Sequence, residues 1–373
     1  MRLPGQTADE VDEHLDELAE LTAAAGGKVV DRVVQRRTQP DPATFIGRGK
    51  AAELTDELKV NEVEVLLFDD DLSASQVKAL EKITEVVVID RSGLILEIFH
   101  QRAHTREAKT QVELARMRYL LPRLTRRWSH LSRQAGGIGV RGGEGESQLE
   151  ADRRMLRRRI QRLEKDLAAI EKTRALQRRG RRRGHARQVA LAGYTNAGKS
   201  TLFNLLTDAG VFVQDQVFAT LDAKLRRGHL VNGHEVIWAD TVGFIRKLPH
   251  HLVASFRSTL EQVASADIML HVVDRSHPAW AVHEEVGGEV LEELGIEPRQ
   301  VLRVYNKIDR LEDARAGVNG DACWISAETG AGVDALRTWI AQHLGLDDVG
   351  AVGDAIVDEY LGQGATLADS APS

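Results

Sequence analysis

The chain reads as an α/β protein in three folded parts: a small α/β unit, an antiparallel helical hairpin, and a larger domain on a mixed, mostly parallel sheet. Three observations predict this. Short apolar runs alternate with helical periodicity near both ends, a heptad-like seam fills the middle, and polar or glycine-bearing loops follow several of the apolar runs. The boundaries expected are residues 1–101, 102–183 and 184–345, with an acidic tail over 346–373 rich in Gly, Ala and Asp that reads as weakly ordered.

In the first part a helical pattern from Val11 to Ala23 precedes an apolar run over residues 29–35 that reads as a strand. A second run over residues 63–68 is followed by a helix through Val77 and Leu80, then a strand over 86–89 leading to Arg91. Phe45-Ile46-Gly47-Arg48-Gly49-Lys50 places two glycines and two cations at a helix start, which suits a phosphate or, equally, a turn and cap. Asp69-Asp70-Asp71 has no other ligand type spaced with it, so a solvated helix entry capped by Ser73 is expected rather than a metal site.

The middle part is the hairpin. Leu149, Leu156, Ile160, Leu163, Leu167 and Ile170 follow a heptad seam, with Arg153 at the one polar position. Ala108, Val112, Ala115 and Tyr119 repeat at the same spacing, and Pro122 should end or kink their helix. The two seams are expected to bury each other. Their link, from Gly136 to Gly145, is too long and glycine-rich for a tight turn and lets backbone approach a partner closely.

The third part opens on Gly193-Tyr194-Thr195-Asn196-Ala197-Gly198-Lys199-Ser200-Thr201, a match to G-x-x-x-x-G-K-[ST] after the apolar run 189–192 and before a helical stretch through Leu202, Leu205 and Leu206. Strand, loop and helix in that order make an anion cradle: backbone N–H groups face phosphates, Lys199 reaches the β and γ oxygens, and Ser200 ligates Mg²⁺. Phe218-Ala219-Thr220 follows, with Thr220 placed to close over Mg²⁺. Asn232-Gly233 reads as a two-residue turn between two strands. Asp240-Thr241-Val242-Gly243 ends the second of them, Asp240 for Mg²⁺ and the Gly243 N–H for the γ-phosphate. Lys199, Thr220 and Gly243 are the residues expected to act in catalysis.

Asn306-Lys307-Ile308-Asp309 follows the apolar strand 301–305. A carboxylate there accepts from the N1–H and N2–H₂ of guanine, a donor pair adenine lacks, so Asp309 selects GTP and GDP. Lys307 would lie along the base, Asn306 would tie this loop to the first, and Ser326-Ala327 would contact guanine from the last loop. Together these elements predict a P-loop GTPase domain.

Two residues bear on the chemistry. Phe244 stands directly after Gly243, where a water-orienting glutamine is found in Ras-like enzymes, and a phenyl ring cannot hydrogen-bond a water. Asn196 either offers an amide oxygen to a K⁺ ion between the phosphates or shapes the loop through bonds to its backbone.

Composition sharpens the picture. Residues 102–187 hold 25 of the 50 Lys/Arg and 9 of the 56 Asp/Glu, a net of +16 against −22 for the rest. An acidic body with one basic arm is the electrostatic footprint of a nucleic-acid binder. Arg141 in the link and Arg178, Arg179, Arg181, Arg182 and Arg183 beyond the second helix are the RNA contacts expected. The single cysteine, Cys323, excludes an internal disulfide. No apolar run approaches the ~20 residues of a membrane span, and a cytoplasmic monomer is expected.

The chain resembles the HflX-type GTPases, a ribosome-associated branch of the P-loop GTPases, over roughly residues 14–343. The resemblance runs through Gln35-Arg36-Arg37, Asp41-Pro42-Ala43-Thr44, the loop from Gly47 to Lys50, Phe68-Asp69-Asp70, Ile89-Asp90-Arg91 and Gln111-Val112-Glu113-Leu114. It continues through Gln148-Leu149-Glu150, Asp152-Arg153-Arg154 and the nucleotide motifs. It implies that the N-terminal part and hairpin bind the large ribosomal subunit, that the glycine-rich tip approaches the rRNA of the peptidyl-transferase centre, and that the GTP-bound protein splits ribosomes. The tip here, Arg141-Gly142-Gly143-Glu144-Gly145-Glu146-Ser147, lacks the proline usual in that family, and residues 1–8 hold no clear counterpart of its first strand. The GTPase motifs alone fit equally a ribosome-assembly or RNA-modification GTPase, or a nucleotide-switched signalling module.

Overall fold

A computed structural model describes residues 1–124, 145–181, 187–207, 218, 224–241, 243–246, 266–293, 295–297 and 300–346, with backbone alone for 145–148, 171 and 174–181. It divides into two compact units, Met1–Ala168 and Ala169–Ser373.

In the first unit α1 (Ala8–Ala24) starts at Thr7, whose hydroxyl accepts from the Glu10 N–H while Glu10 reaches back, a capping box. Then come α2 (Arg48–Val60), β1 (Val65–Phe68), α3 (Ala74–Thr84), β2 (Val87–Asp90) and α4 (Arg91–Arg102). The two strands pair in parallel, Val65 opposite Val87 and Phe68 opposite Asp90. Phe45, Ile46, Leu54, Phe68, Val77, Leu80 and Val88 are among the residues that fill the core.

The run 29–35, expected as a strand, is not one. Val30 is 57 % exposed and Val34 44 % exposed, and among the described residues only an isolated bridge joins Arg2 to Arg36 beside it. β-branched residues favour a pleated surface, but without a neighbouring strand they have no ladder to join. The aspartates 69–71 are more than a solvated helix entry. Asp69 accepts from the buried Arg91 guanidinium at 2.7 Å, Asp70 lies 3.5 Å from the N-terminal ammonium, and Asp71 accepts from the Ser92 hydroxyl. Ser73 caps α3 as expected.

α5 (Arg106–Arg123) begins at Thr105 and ends one residue past Pro122. Its seam was expected to face the second hairpin helix, but it packs on α3 and α4 instead. Tyr119, at the end of that stripe, donates its hydroxyl to Asp90 at 2.7 Å. The buried Asp90 also accepts from Gly93 N, Leu72 N and Arg123, and so caps α4 and anchors the last turn of α5. What meets α6 (Gly145–Arg181) is a different face of α5, Leu114 and Met117, against Leu163 with Leu156, Ile160 and Leu167 alongside. Arg118–Glu164 and Arg159–Glu113, each at 2.7 Å, flank it. α5 is apolar on two faces, and spacing alone does not say which partner each face meets. The link up to Glu144 lies outside the described residues.

Among its described residues the second unit has seven strands: β3 (Gln188–Ala192), β4 (Lys224–His229), β5 (Glu235–Asp240), β6 (Ile268–Asp274), β7 (Val301–Asn306), β8 (Gly317–Asn319) and β9 (Ala322–Trp324). Their order is β4-β5-β3-β6-β7-β9-β8, with β5, β3, β6, β7 and β9 parallel and the two edge strands antiparallel to their neighbours. Helices α7 (Lys199–Thr207), α8 (Trp280–Glu293) and α9 (Val333–His343) accompany it. β3 is buried at every residue, as a strand covered on both faces must be. Val189 and Leu191 join Leu202, Phe203, Leu336 and Ile340 on one side; Ala190 and Ala192 join Met269, Leu291 and Phe244 on the other.

The β4–β5 turn is longer than the two residues expected. Leu230 N donates to His234 O, leaving Val231, Asn232 and Gly233 as a three-residue turn, with Gly233 at φ 83° and its N–H on Leu230 O. That is the type I turn closed by a left-handed glycine that three-residue hairpins use.

Candidate functional site

The parallel strands end on one edge of the sheet, and the motifs lie there: Gly193 after β3, Asp240 closing β5, Asp274 closing β6, Asn306 closing β7 and Ser326 just past β9. Crevices outside the carboxyl ends of parallel strands are where such sheets take ligands.

The phosphate loop is fixed by close approach. A Cβ on Gly193 (φ 142°) would stand 2.1 Å from Val272 O, and one on Gly198 (φ 88°) would stand 2.2 Å from Asn306 Nδ2. Asn196, at φ 61°, is exposed at the loop's crest, where a left-handed asparagine is tolerated. Lys199 folds back so that Nζ donates to Tyr194 O at 2.6 Å. Burial pushes its pKa down to about 8, against the pull of Asp240 and with a push from Lys307. Ser200 Oγ donates to Asp240 Oδ2 at 3.1 Å, so the two oxygens expected at Mg²⁺ stand together.

The segment after Asp240 is bound to this loop by backbone. Phe244 N donates to Gly193 O at 2.9 Å and Thr195 N to Phe244 O at 2.7 Å, a parallel bridge between Tyr194 and Phe244. Thr241 Oγ1 donates to Leu191 O at 2.6 Å. A Cβ on Gly243 would meet Thr195 at 2.8 Å and Lys199 Nζ at 3.0 Å, which brings that glycine's backbone up to the lysine. The Phe244 ring is 3 % exposed among Ala192, Tyr194, Met269 and Leu291. It is buried in the core, with Tyr194 as its neighbour from the loop.

The base side is equally connected. Asn306 Nδ2 donates to Ala197 O and its Oδ1 accepts from Ala327 N, each at 2.9 Å, joining all three loops. Ser326 Oγ donates to Asp309 Oδ1 at 2.5 Å and accepts from Thr329 N at 3.1 Å. Lys307, at φ 63°, reaches Asp274 at 2.7 Å. Burial opposes ionisation of Asp274, but hydrogen bonds from Lys307 and Ser276 outweigh it and hold the carboxyl below its usual range.

The structure thus brings together the residues from Gly193 to Thr201, Asp240, Thr241, Gly243, Asn306, Lys307, Asp309, Ser326 and Ala327, all on the strand ends, loops and helix ends at that edge. Phe218 is buried at φ 57°. Ala219, Thr220, Val242, Arg141, Arg182 and Arg183 lie outside the described residues, as do the side chains of Arg178, Arg179 and Arg181. Asp274 escapes the sequence reading, although its place at a strand's carboxyl end, in register with Asn306, is a usable signal. The Tyr194 hydroxyl, which accepts from Arg246 N at 2.9 Å, has no such signal.

A glycine-walled loop with a buried lysine, a paired hydroxyl and carboxylate, and a carboxylate on a separate loop fit a guanosine triphosphate. Comparison with known proteins agrees. Residues 12–100 match the family described as GTP-binding GTPase N-terminal, 102–181 its middle region, and 188–307 the family described as 50S ribosome-binding GTPase. GTPase HflX of Magnetococcus marinus is 48 % identical over 346 residues, covering 92 % of this chain and 80 % of the relative. GTPase HflX of Escherichia coli is 46 % identical over 344 residues, 91 % and 80 % of the two chains. Among solved structures, the GDP complex of a protein called SsGBP is 25 % identical with a TM-score of 0.51, covering 90 % of this chain and 97 % of that one.

Proposed function

The chain belongs to the HflX family of GTPases, and from that premise we propose that it binds the large ribosomal subunit and uses GTP to split or rescue ribosomes. It is a GTP-hydrolysing enzyme, binding GTP and GDP. The single observation that carries the ribosomal reading is the charge asymmetry. A basic arm of net +16 on an otherwise acidic chain supplies a counterion-releasing surface for rRNA, with Arg141, Arg178, Arg179, Arg181, Arg182 and Arg183 among its contacts. We infer further that the protein acts as a cytoplasmic monomer; no helix among the described residues is long and apolar enough to cross a membrane.

In this mechanism the triphosphate lies along the loop from Gly193 to Ser200, with the first N–H groups of α7 and Lys199 Nζ taking its charge. Asp309 and Ser326 read the guanine, and Asn306 keeps base and phosphate loops in register. Ser200 and Asp240 fit Mg²⁺, a hard cation that takes oxygen ligands, with Thr220 the third residue expected there. When bound, that ion neutralises charge developing between the β and γ phosphates. Gly243 offers its N–H to the γ-phosphate. No side chain at 244 orients water, because Phe244 is buried among apolar neighbours, so the missing group comes from the ribosome.

Sedimentation with large subunits, small subunits and intact ribosomes, in a GTP analogue and in GDP, tests this. Co-sedimentation with the large subunit in the analogue, weaker in GDP, and turnover raised by orders of magnitude on adding it are expected. Fast turnover that ribosomes leave untouched would overturn the reading.

A further inference from the structure

Tyr194 is a strut between the phosphate loop and the segment that follows Gly243. Its carbonyl accepts from Lys199 Nζ at 2.6 Å and its hydroxyl accepts from Arg246 N at 2.9 Å. Its two backbone neighbours bond to Phe244. Main-chain bonds join the two segments at Phe244, and the orientation of the ring decides whether the hydroxyl also holds Arg246 N. What covers it is the His283 ring of α8, 3.9 Å away and 7° from parallel, a stacked pair. The His277 ring lies 4.5 Å from His283, and His277 is itself pinned just before α8 by Ala279 N, which donates to its Nδ1 at 3.1 Å.

We propose that His283 is a positioning residue for GTP hydrolysis: stacked on Tyr194, it keeps the Tyr194 hydroxyl on Arg246 N and so holds the segment after Gly243 against the phosphate loop as the reaction needs. Burial lowers the pKa of His283 to about 4, so near neutrality the ring stacks as an uncharged aromatic. Loss of the stack leaves both segments present but lets Tyr194 turn and release Arg246 N. Small misplacement of reacting groups slows chemistry more than it weakens binding.

The test is steady-state hydrolysis by the full chain without ribosomes, which keeps its failure separate from that of the ribosomal reading. His283→Ala is expected to lower kcat about three- to ten-fold, the worth of one aromatic pair, with KM for GTP within about two-fold. His283→Phe, which keeps a flat face, should restore most of the rate. Tyr194→Phe, which removes only the hydroxyl, should fall as far as His283→Ala, and the double variant no further. Natural kcat in His283→Ala, a His283→Phe rate as low as that of His283→Ala, a KM rising in step, or losses that merely follow melting temperature across the variants would each overturn the assignment.

Discussion

Ser326 holds Asp309: the serine hydroxyl donates to one carboxylate oxygen at 2.5 Å, so the carboxylate proposed to read guanine is oriented before a base arrives. The serine gains its own acceptor role from Thr329 N, which locks the rotor. On the proposed reading, base selection at this site depends on a short chain of hydrogen bonds within one loop pair.

Asp309→Asn exchanges an acceptor for an amide that faces the guanine donors with donors of its own. GTP affinity should fall by ~1.5–3 kcal/mol, the worth of hydrogen bonds to a charged group. Xanthosine triphosphate, with a carbonyl at position 2, should gain. Titration of both nucleotides against the variant checks this; strong retained preference for GTP would remove Asp309 from the role.

Phe244→Gln does not create a water-orienting residue, because the side chain at 244 points among Ala192, Tyr194, Met269 and Leu291. Burying an unpaired amide there should cost about 1–3 kcal/mol of stability. Thermal melting should drop while basal turnover stays at or below the natural rate. Turnover that rises instead would mean the ring can leave the core.

Charge reversal at Arg178, Arg179, Arg181, Arg182 and Arg183 should weaken association with large subunits and flatten its dependence on salt, since fewer counterions are released. Binding measured across a salt series reads the slope directly. Hydrolysis without ribosomes should hardly change.

Asn196 sits exposed at the crest of the phosphate loop. If its amide oxygen takes K⁺, hydrolysis in K⁺ should exceed that in Na⁺ at equal ionic strength, and Asn196→Ala should erase the difference. Equal rates in both salts would leave Asn196 a residue that shapes the loop.

The placement of the proposed nucleotide site is legible because its strings at Gly193, Asp240, Asn306 and Ser326 each close or follow an apolar run that does form a parallel strand, whereas most of the string from Phe218 to Thr220 lies outside the described residues. Local strings are weaker guides to partners. Val30 and Val34 have the composition of a strand, yet nothing in the described residues pairs with them as one. Tyr119 carries the right helical period, yet it serves Asp90 rather than the second hairpin helix. Asp69 reads as surface and is a counter-ion of the buried Arg91, 22 positions further along the chain. Only the parallel pairing of Phe68 with Asp90 brings those two strand ends together, and no local pattern announces it.

The backbone bridge between Tyr194 and Phe244 has a further consequence. Because main-chain groups fix the path of the chain at 244, the side chain there can change without moving Gly243. The site can therefore lack a water-orienting side chain at 244 and keep its backbone in place. On the proposed reading, the bound nucleotide then becomes a timer, and the partner that supplies the missing group decides when it runs out.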